Sequence, residues 1–359
     1  MTPPKLQIER AIDELRRGRA IVVDNIIAIM AVDFLTDDTL NSFENSAGVK
    51  ADILVSARRA TALKLDNSRT AAGAKAVRIA RSVWQDVPAL VSIADPVDDM
   101  ASPLKGPFKL ASLEGYEAAA TAAIALMKQA ALLPAALIAP CAHLPADWLS
   151  VSSQDVSTYP LELAQSLLRV AEATVPLASA ETCRLVAFRS GDGGLEHLAI
   201  IIGDPPRHTP VLTRLHSECF TGDLLGSLKC DCGTQLQAAI STIAAQGSGV
   251  LLYLAQEGRG IGLINKLRAY ALQDQGFDTV DANWRLGFET DERLFAPAAR
   301  MLELLGFETV RLMTNNTDKV AGLEALGIKV SERVPHSFPA NPHNAHYLAT
   351  KKDRTGHQL

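Results

Sequence analysis

The chain has 359 residues, of which 48% are hydrophobic and 21% are charged, and its formal net charge is −5. This composition is typical of a soluble globular protein and excludes a disordered or fibrous one. The length predicts two domains. The negative charge argues against a broad nucleic-acid-binding surface, although a local basic cluster could hold a small anion.

The N-terminal segment predicts one helix followed by one strand. Apolar residues recur at helical spacing before a stop at Gly18, and a strand is expected over 20–23. The apolar residues that define this helix are Ile8, Ala11, Ile12 and Leu15. The same segment contains no apolar signal core, so we expect a cytoplasmic protein with reduced cysteines.

The most apolar stretch, residues 118–140, predicts a buried helix followed by a buried strand. It is interrupted by Lys128, Gln129 and Pro134 and is rich in alanine, so it is too weakly hydrophobic for a membrane span. Residues 95–106 are expected to form an exposed loop, and residues 144–160 the tail of the first domain or a linker. We therefore predict domains over 1–150 and 169–359, joined by a linker over 151–168.

The second half alternates between predicted strands and helices. Strands are expected over 249–254, 309–314 and 328–334. One helix is expected to end at Gly276 after burying a face of Leu263, Leu267, Tyr270 and Ala271. Another is expected to begin at Asp291 and to bury Leu294, Ala298, Met301 and Leu305, with Pro297 kinking or delaying it. This alternation predicts a layered α/β fold with a mixed sheet in the C-terminal domain and at least partly parallel strands.

Cys219, Cys230 and Cys232 are three of the chain's five cysteines and lie within fourteen residues. Their spacing lets three thiolates converge on one zinc ion, and three protein ligands leave the open position of a catalytic site. Three buried, reduced cysteines are an alternative, but the polar "KCDCG" sequence offers no apolar face for packing. A redox-active pair is disfavoured because the spacing is not that of a C-x-x-C motif.

The segment "YLAQEGRGIGL" predicts a strand that leads through a glycine-rich turn into a helix, a layout that can present backbone N–H groups to an anion. A tight connection with no ligand explains the glycines equally well, and their spacing does not match a dinucleotide fingerprint. Glu257 and Arg259 favour a site, since a carboxylate can accept from a purine edge and a guanidinium can bind phosphate.

Two further groups have both structural and functional interpretations. The "TNNTDK" segment, Thr314 to Lys319, could cap a short helix or could bind phosphate. Asp291 and Arg293 stand two residues apart, and by themselves they are better explained by complementation of a helix dipole. Together with the cysteines, these groups predict a zinc hydrolase that acts on a nucleotide.

Four segments carry a resemblance to a known family: "LTRLHSECFTGDLLGSLKCDCGTQL", "QEGRGIGLINKLRAYALQDQGFDTVDAN", "LGFETDER" and "LMTNNTDKVAGLEALGIKVSERVP". They closely resemble GTP cyclohydrolase II, and the likeness runs from about Arg169 to the C-terminal "NPHNAHYLATKKDRTGHQL". Minor departures are Ala255, where many members have arginine, and a missing glycine near the domain's first strand. The resemblance implies hydrolysis of GTP to a diaminopyrimidine nucleotide, with release of formate and pyrophosphate, at the start of riboflavin synthesis.

The resemblance also implies roles for individual residues. The three clustered cysteines match zinc ligands, and Mg²⁺ is expected on the substrate phosphates. Zinc is expected to activate the water that attacks carbon 8 of guanine. Asp291 matches the proton acceptor, Arg293 the residue proposed to attack the α-phosphate, and Tyr270 the residue that completes ring opening. The positions that match GTP contacts are Arg214, Leu215, His216, Ser217, Glu218, Gln235, Glu257, Gly258, Arg259, Thr279, Thr314 and Lys319.

The N-terminal half is similar to 3,4-dihydroxy-2-butanone 4-phosphate synthase in "AIDELRRGRAIVV" and "EAAATAAIALMKQAALLPAALIAP". That family has an acidic, arginine-containing loop where this chain has the largely apolar "DNIIAIMAVD". A divalent cation and a sugar phosphate cannot be held by isoleucines, so we predict a catalytically silent domain kept for folding, dimerisation or regulation. A homodimer is expected. Two alternatives to a cyclohydrolase with a silent N-terminal domain are a bifunctional enzyme and a non-catalytic zinc module.

Overall fold

The structure is a computed structural model. It describes residues 4–65, 73–141, 145, 147–191, 193–336 and 354, so nearly all of the C-terminal "NPHNAHYLATKKDRTGHQL" stretch lies outside the described residues. The chain forms two compact units. The first comprises Met1–Pro160 and Ile261–Glu292, and the second comprises Leu161–Gly260 and Arg293–Leu359.

The first unit is built on a seven-stranded sheet, most of whose strand pairs are antiparallel. Its strands are β1 (Ile21–Val23), β2 (Ile27–Ala31), β3 (Asp52–Ser56), β4 (Ala76–Ala80), β5 (Lys109–Ala111), β6 (Ala135–Pro140) and β7 (Leu149–Val151). They are arranged in the order β5-β4-β3-β6-β2-β1-β7. The central strands β2 and β6 are buried along nearly their whole length, so the core lies against the middle of this sheet.

Helices cover this sheet, and two of them come from the second half of the chain. Those of the first half are α1 (Pro4–Arg16), α2 (Asp37–Ala47), α3 (Ala57–Ala62), α4 (Val87–Ala94), α5 (Glu117–Gln129) and α6 (Ser153–Gln165), the last of which continues into the second unit. The later two are α9 (Leu263–Asp274) and α10 (Thr279–Leu286). Leu272, Leu286 and Phe288 lie in the same hydrophobic core as β3 and β6.

The second unit contains a mixed seven-stranded sheet. Its strands are β8 (Leu168–Thr174), β9 (Cys183–Arg189), β10 (Glu196–Ile202), β11 (Val211–Ser217), β12 (Gly249–Leu254), β13 (Thr309–Met313) and β14 (Lys329–Val334). The order is β14-β13-β11-β12-β10-β9-β8, with parallel pairing from β14 to β12 and antiparallel pairing from β12 to β8. Helices α7 (Cys232–Ala245), α11 (Ala296–Leu305) and α12 (Thr317–Glu324) flank it, and α8 (Glu257–Gly260) is a single turn.

The predicted fold class is confirmed, because both units combine a sheet with flanking helices and the second sheet is mixed. The buried helix and strand expected over 118–140 are confirmed as α5 and β6. The units do not follow chain order, since residues 261–292 pack with the first. The domain limits 1–150, 151–168 and 169–359 stay predictions. Within the interval expected to be a linker, the structure has the helix α6.

Two local predictions are wrong, and a third holds only in part. The helix expected at Asp291 begins only at Ala296, because Pro297 is tolerated in the first turn and not deeper; Leu294, expected to be buried, is 46% exposed. Helix α9 buries Asn265, Lys266, Ala269 and Leu272 instead of the predicted leucine face. The loop expected over 95–106 is present and mostly exposed, but it carries the buried Asp99, whose partners are described below.

Candidate functional site

The three clustered cysteines are brought together by a loop and a helix start in the second unit. Strand β11 ends at Ser217, and a wide helical turn over Phe220–Leu224 follows Cys219. Cys232 is the first residue of α7, and Cys230 lies two residues before that helix. All three sulfur atoms lie within 4.8 Å of one another, and the Sγ atoms of Cys219 and Cys230 are 3.8 Å apart.

This separation fits a tetrahedral zinc site. Zinc–thiolate bonds of about 2.3 Å at tetrahedral angles place neighbouring sulfurs roughly 3.8 Å apart. The described cluster offers three ligands and no fourth His, Cys, Asp or Glu. The donor set therefore fits zinc with one coordination position left for a non-protein ligand, as the cysteine spacing predicted.

Two glycines make room for the sulfurs. A Cβ atom at Gly222 would lie 2.7 Å from the Sγ of Cys230 and 2.9 Å from that of Cys219, which is closer than atoms can pack. A Cβ atom at Gly233 would lie 2.3 Å from the carbonyl oxygen of Gly222. The backbone of the 220–224 turn can approach the cysteines this closely only because both positions lack a side chain.

The protonation of the thiols is set by their mutual contacts. Hydrogen bonding to Cys219 raises the pKa of Cys230, and burial adds to this effect. Hydrogen bonds to Cys219 and Cys230, together with burial, raise the pKa of Cys232 well above its usual range. A divalent ion would have to displace these protons on binding, as is general for thiolate sites.

Asp223 lies in the turn that follows Cys219 and binds three groups around it. The sequence did not predict this role. Its carboxylate accepts from the backbone N–H of Cys219 at 3.0 Å and from the hydroxyl of Tyr253 at 2.9 Å. Both carboxylate oxygens lie 3.0 Å from Nε2 of His216. The contact to a ligand's own backbone makes Asp223 an outer support of the candidate metal site. Its place within "HSECFTGD" was the available signal.

His216 is held by Asp223 and is stacked on the Tyr253 ring, with 5.6 Å between centroids. Burial lowers the pKa of His216, and the nearby charges of Arg214 and Lys319 act in the same direction, whereas Asp223 opposes them. The ring is therefore neutral near pH 7, with the Nε2 proton on the Asp223 side. Its Nδ1 atom is buried and has no hydrogen-bond partner among the described residues.

Arg214 lies on β11 next to the first turn of α7. It donates to the carbonyl oxygen of Met313 at 2.9 Å and to the side chain of Gln235. Complete burial lowers the pKa of Arg214 to about 10, so the guanidinium stays charged at neutral pH. Its Nε–H is buried and finds no acceptor among the described residues. Buried polar groups are nearly always paired, so an unpaired donor here suggests a bound acceptor.

Thr314 and Lys319 follow β13 and open α12. The Nζ atom of Lys319 donates to the carbonyl oxygen of Leu215 at 2.8 Å, and the hydroxyl of Thr314 accepts from the backbone N–H of Asn316 at 3.0 Å. Asn316 caps the helix by accepting from the N–H of Asp318. The capping interpretation of "TNNTDK" is thus confirmed, while phosphate binding stays a prediction.

The glycine-rich turn has a left-handed backbone at two successive residues, Gly258 with φ of 64° and Arg259 with φ of 63°. This conformation is unfavourable for arginine and therefore suggests a functional constraint. The carboxylate of Glu257 accepts from the backbone N–H groups of Phe220 at 2.6 Å and Gly258 at 2.9 Å. Glu257 therefore links the turn to the residue that follows Cys219.

The other predicted residues divide between the units. Tyr270, Thr279 and Asp291 lie in the first unit, and Ser217, Glu218 and Arg293 lie in the second. Tyr270 faces the ammonium group of Lys266, which is 5.8 Å from its ring centroid. The hydroxyl of Thr279 accepts from Gln273 at 3.4 Å and opens α10. Asp291 lies in the segment between α10 and α11.

Comparisons with known proteins identify one family. The family model for GTP cyclohydrolase II matches residues 168–335. A GTP cyclohydrolase-2 from Azospirillum brasilense is 48% identical over 98% of this chain and 94% of its own length. A GTP cyclohydrolase-2 from Escherichia coli (strain K12 / DH10B) is 55% identical over 54% of this chain and 98% of its own length.

Among solved structures, a two-domain 3,4-dihydroxy-2-butanone 4-phosphate synthase from A. baumannii covers 91% of this chain and 99% of its own, with 16% identity and a TM-score of 0.34. A likeness this weak does not establish a shared fold. The sequence identity to the Azospirillum protein is much higher, and it extends over nearly the full length of both chains. On that relationship and on the matched family model, the chain belongs to the GTP cyclohydrolase II family.

Proposed function

We propose that this protein is a zinc-dependent GTP cyclohydrolase II, which hydrolyses GTP to a diaminopyrimidine nucleotide with release of formate and pyrophosphate. The observation that carries the proposal is the convergence of Cys219, Cys230 and Cys232 within 4.8 Å in a chain of this family. Zinc, when bound by these thiolates, supplies a Lewis acid and makes water a nucleophile near neutral pH.

The residues of β11 and α12 supply fixed positive charge for an anionic substrate. Arg214 and Lys319 are both buried, and each is held by a backbone carbonyl oxygen. Their charges are therefore oriented before a ligand arrives, which lowers the cost of ordering them on binding. We assign them to the triphosphate, with Arg214 using the Nε–H that has no acceptor among the described residues.

His216 can take part as a neutral acceptor. The side of the ring that faces Asp223 is occupied, which leaves Nδ1 for a substrate atom. Because Nε2 holds the proton toward the carboxylate, Nδ1 is an acceptor in this tautomer. Glu257, already fixed by two backbone N–H groups, is assigned to the donor edge of guanine.

Further assignments follow the family motif. Asp291 is the proton acceptor, and Tyr270 completes ring opening. Arg293 attacks the α-phosphate, the bond to the β,γ-pyrophosphate breaks as the N–P bond forms, and water later cleaves that N–P bond. Arginine is far too basic to attack unaided, so its step requires a carboxylate that takes its proton. The remaining GTP contacts are assigned to Leu215, Ser217, Glu218, Gln235, Gly258, Arg259, Thr279 and Thr314. Mg²⁺ on the phosphates, a homodimer and a cytoplasmic location belong to the same proposal.

We also propose that the N-terminal half is catalytically silent. Residues 27–31, where the synthase family has its acidic loop, form the fully buried strand β2. Asp33, which follows it, accepts from Arg268 at 3.1 Å and from the backbone N–H of Leu133. This carboxylate is thus occupied by the protein itself.

Within the described part of the chain, no helix is long and apolar enough to span a bilayer.

The test is incubation of the full chain with GTP, Zn²⁺ and Mg²⁺, with assays for formate and the diaminopyrimidine product. Cys230→Ser is expected to lose both formate release and bound zinc. Cys183→Ala, at a buried cysteine outside the cluster, is the matched control and is expected to keep both. Retention of either property by Cys230→Ser would contradict the proposal. Zinc binding without formate release by the native chain would favour a non-catalytic zinc module.

The same preparation tests the silent half. Ribulose 5-phosphate and Mg²⁺ are added to the full chain, and the formation of 3,4-dihydroxy-2-butanone 4-phosphate is measured. No turnover is expected. Product formation would instead establish a bifunctional enzyme.

A further inference from the structure

The segment Ile261–Glu292 belongs to the family-matched half of the sequence but is part of the core of the first unit. Six of its apolar side chains are almost fully buried there, together with residues of β3, β4 and β6. These side chains are Ile261, Ala269, Leu272, Ala282, Leu286 and Phe288. The N-terminal half therefore supplies the apolar surface against which α9 and α10 fold.

The beginning of the segment is fixed to the turn after α5. Asn265 is fully buried and donates from Nδ2 to the carbonyl oxygen of Ala131 at 3.0 Å. A Cβ atom at Gly262 would lie 2.9 Å from the Cβ of Ala131, so the two backbones are in close contact. This contact explains why a polar side chain, and not the predicted leucine face, points into the protein.

The end of the segment is fixed by polar contacts from the N-terminal half. The hydroxyl of Ser56 donates to the carbonyl oxygen of Gly287 at 2.7 Å. The Nζ atom of Lys128 lies 2.6 Å from Oε1 of Glu292, the residue between Asp291 and Arg293. The same oxygen accepts from the backbone N–H of Glu289 at 2.7 Å. Lys128 thus anchors the loop that carries Asp291.

Buried acidic residues of the N-terminal half bind arginines of the segment. Arg268 lies 3.1 Å from Asp33 and 2.9 Å from Asp95. Arg285 lies 3.5 Å from Asp99, a carboxylate that also holds the buried Arg59. Partly buried ion pairs with several partners fix geometry more strongly than isolated surface pairs do.

The E. coli relative matches over 98% of its own length and only 54% of this chain, so it has no counterpart of most of the N-terminal half. A catalytic segment of this family can therefore fold without that half. In this chain the corresponding apolar surface is covered by the first unit instead. In this chain the N-terminal half therefore helps to hold residues 261–292 in place.

We propose that the N-terminal half is a positioning domain for the segment 261–292, and that Lys128 is a positioning residue for Asp291. The inference rests on the proposed function, because Tyr270, Thr279 and Asp291 are assigned to the GTP reaction. It gives the silent domain a role in the same reaction, through Glu292 and not through contact with substrate. Loss of the Lys128–Glu292 pair frees the backbone beside Asp291 and so reduces the proportion of correctly placed carboxylate.

The experiment compares full-length Lys128→Met, Lys128→Arg and the charge exchange Lys128→Glu with Glu292→Lys. Methionine keeps the apolar stem and removes only the charge. We expect kcat for Lys128→Met to fall roughly tenfold or more, since small displacements of catalytic groups have effects of this size. The KM for GTP and the zinc content should change far less. Lys128→Arg should recover most of kcat, whereas the charge exchange should recover only part of it, because the Glu292→Lys side chain cannot accept from the backbone N–H of Glu289.

Arg19→Met, which removes an exposed ion pair of the same domain, is the matched control and should retain full activity. Hydrogen exchange of peptides over 285–293 gives a readout that needs no activity, and it should be faster in Lys128→Met than in the native chain and return toward the native rate in Lys128→Arg. Unchanged exchange, or unchanged kcat in an active enzyme, overturns the inference. Absence of formate from the native chain overturns the proposed function, while the exchange result still decides the positioning role.

Discussion

The backbone N–H of Gly222 donates to the Sγ atom of Cys219 at 3.3 Å, inside the turn that brings the cysteines together. A Cβ atom on the same glycine would lie 2.7 Å from the Sγ atom of Cys230, so the missing side chain and the N–H both help to bring the cysteines together. An N–H aimed at sulfur stabilises the thiolate form that a metal requires. Gly222 therefore contributes both space and charge stabilisation to the candidate zinc site.

Gly222→Ala should abolish tight zinc binding. The added methyl would lie 2.7 Å and 2.9 Å from two of the sulfurs, so the turn must move and the three sulfurs can no longer converge. Zinc per chain, measured after dialysis, should fall close to zero and formate release with it, while circular dichroism stays unchanged. Gly191→Ala adds a methyl into open space in the same unit and is the control. Full zinc content in Gly222→Ala would show that the site is not built as described.

Asp223→Asn should weaken zinc binding by about 10- to 100-fold, the range usual for residues that support metal ligands. The carboxylate accepts from Cys219, Tyr253 and His216, and an amide would direct N–H groups at one of these donors. The measurement is competition with a chelator of known affinity. Asp204→Asn, at an exposed position of the same unit, is the control.

Tyr253→Phe distinguishes the role of the carboxylate from that of its neighbours. It removes one donor and leaves the contact between Asp223 and the N–H of Cys219 intact. Its effect on zinc affinity should therefore be smaller than that of Asp223→Asn. A larger effect would place the support in the hydroxyl of Tyr253 and not in the carboxylate.

The cysteine cluster could be predicted from sequence because its geometry is mainly local. Cys230 and Cys232 flank one residue, and Cys219 precedes them by a single loop. The role of Asp223 could not be predicted in the same way. Its partner Tyr253 is thirty residues away on β12, and only the parallel pairing of β11 with β12 brings the two together.

Helical periodicity failed in α9 for a related reason. The pattern identified a leucine face, but Leu267 is half exposed and Asn265 and Lys266 are buried. Which side of a helix is buried depends on the surface that covers it, and here that surface comes from more than 100 residues earlier in the chain. Polar groups that find partners across such a distance leave no periodic signal.

Arg59→Met should destabilise the first unit by about 3 kcal/mol, because removal of one partner leaves a buried charge without its main counterion. Arg59 is 1% exposed and binds Asp99 with two N–H groups, at 2.6 Å and 2.9 Å. Lys105 and Arg285 still reach that carboxylate, which limits the loss. Urea unfolding measures it, with Arg19→Met as the exposed control. A loss below about 1 kcal/mol would show that those two cations suffice.

The second unit should lose stability in mild acid through its buried histidines. Burial lowers the pKa of His197 and of His336 to about 4. An unfolded chain has histidine pKa values near 6.5. Between these values the unfolded chain binds protons that the folded chain does not, so the free energy of unfolding decreases as pH falls from about 6.5 toward 4 and is unaffected by these groups at higher pH.

His197→Asn tests this dependence at one site. Nδ1 of His197 accepts from the backbone N–H of Ala255 at 3.0 Å, and the asparagine oxygen can replace that acceptor without binding a proton. Urea unfolding at about pH 7 and about pH 5 should therefore show a smaller loss for the variant than for the native chain. The other titratable groups, His336 among them, contribute equally to both proteins, so the difference belongs to His197. His208→Gln, at an exposed site, should behave as native, and equal losses in all three proteins would mean that His197 is protonated in the folded state.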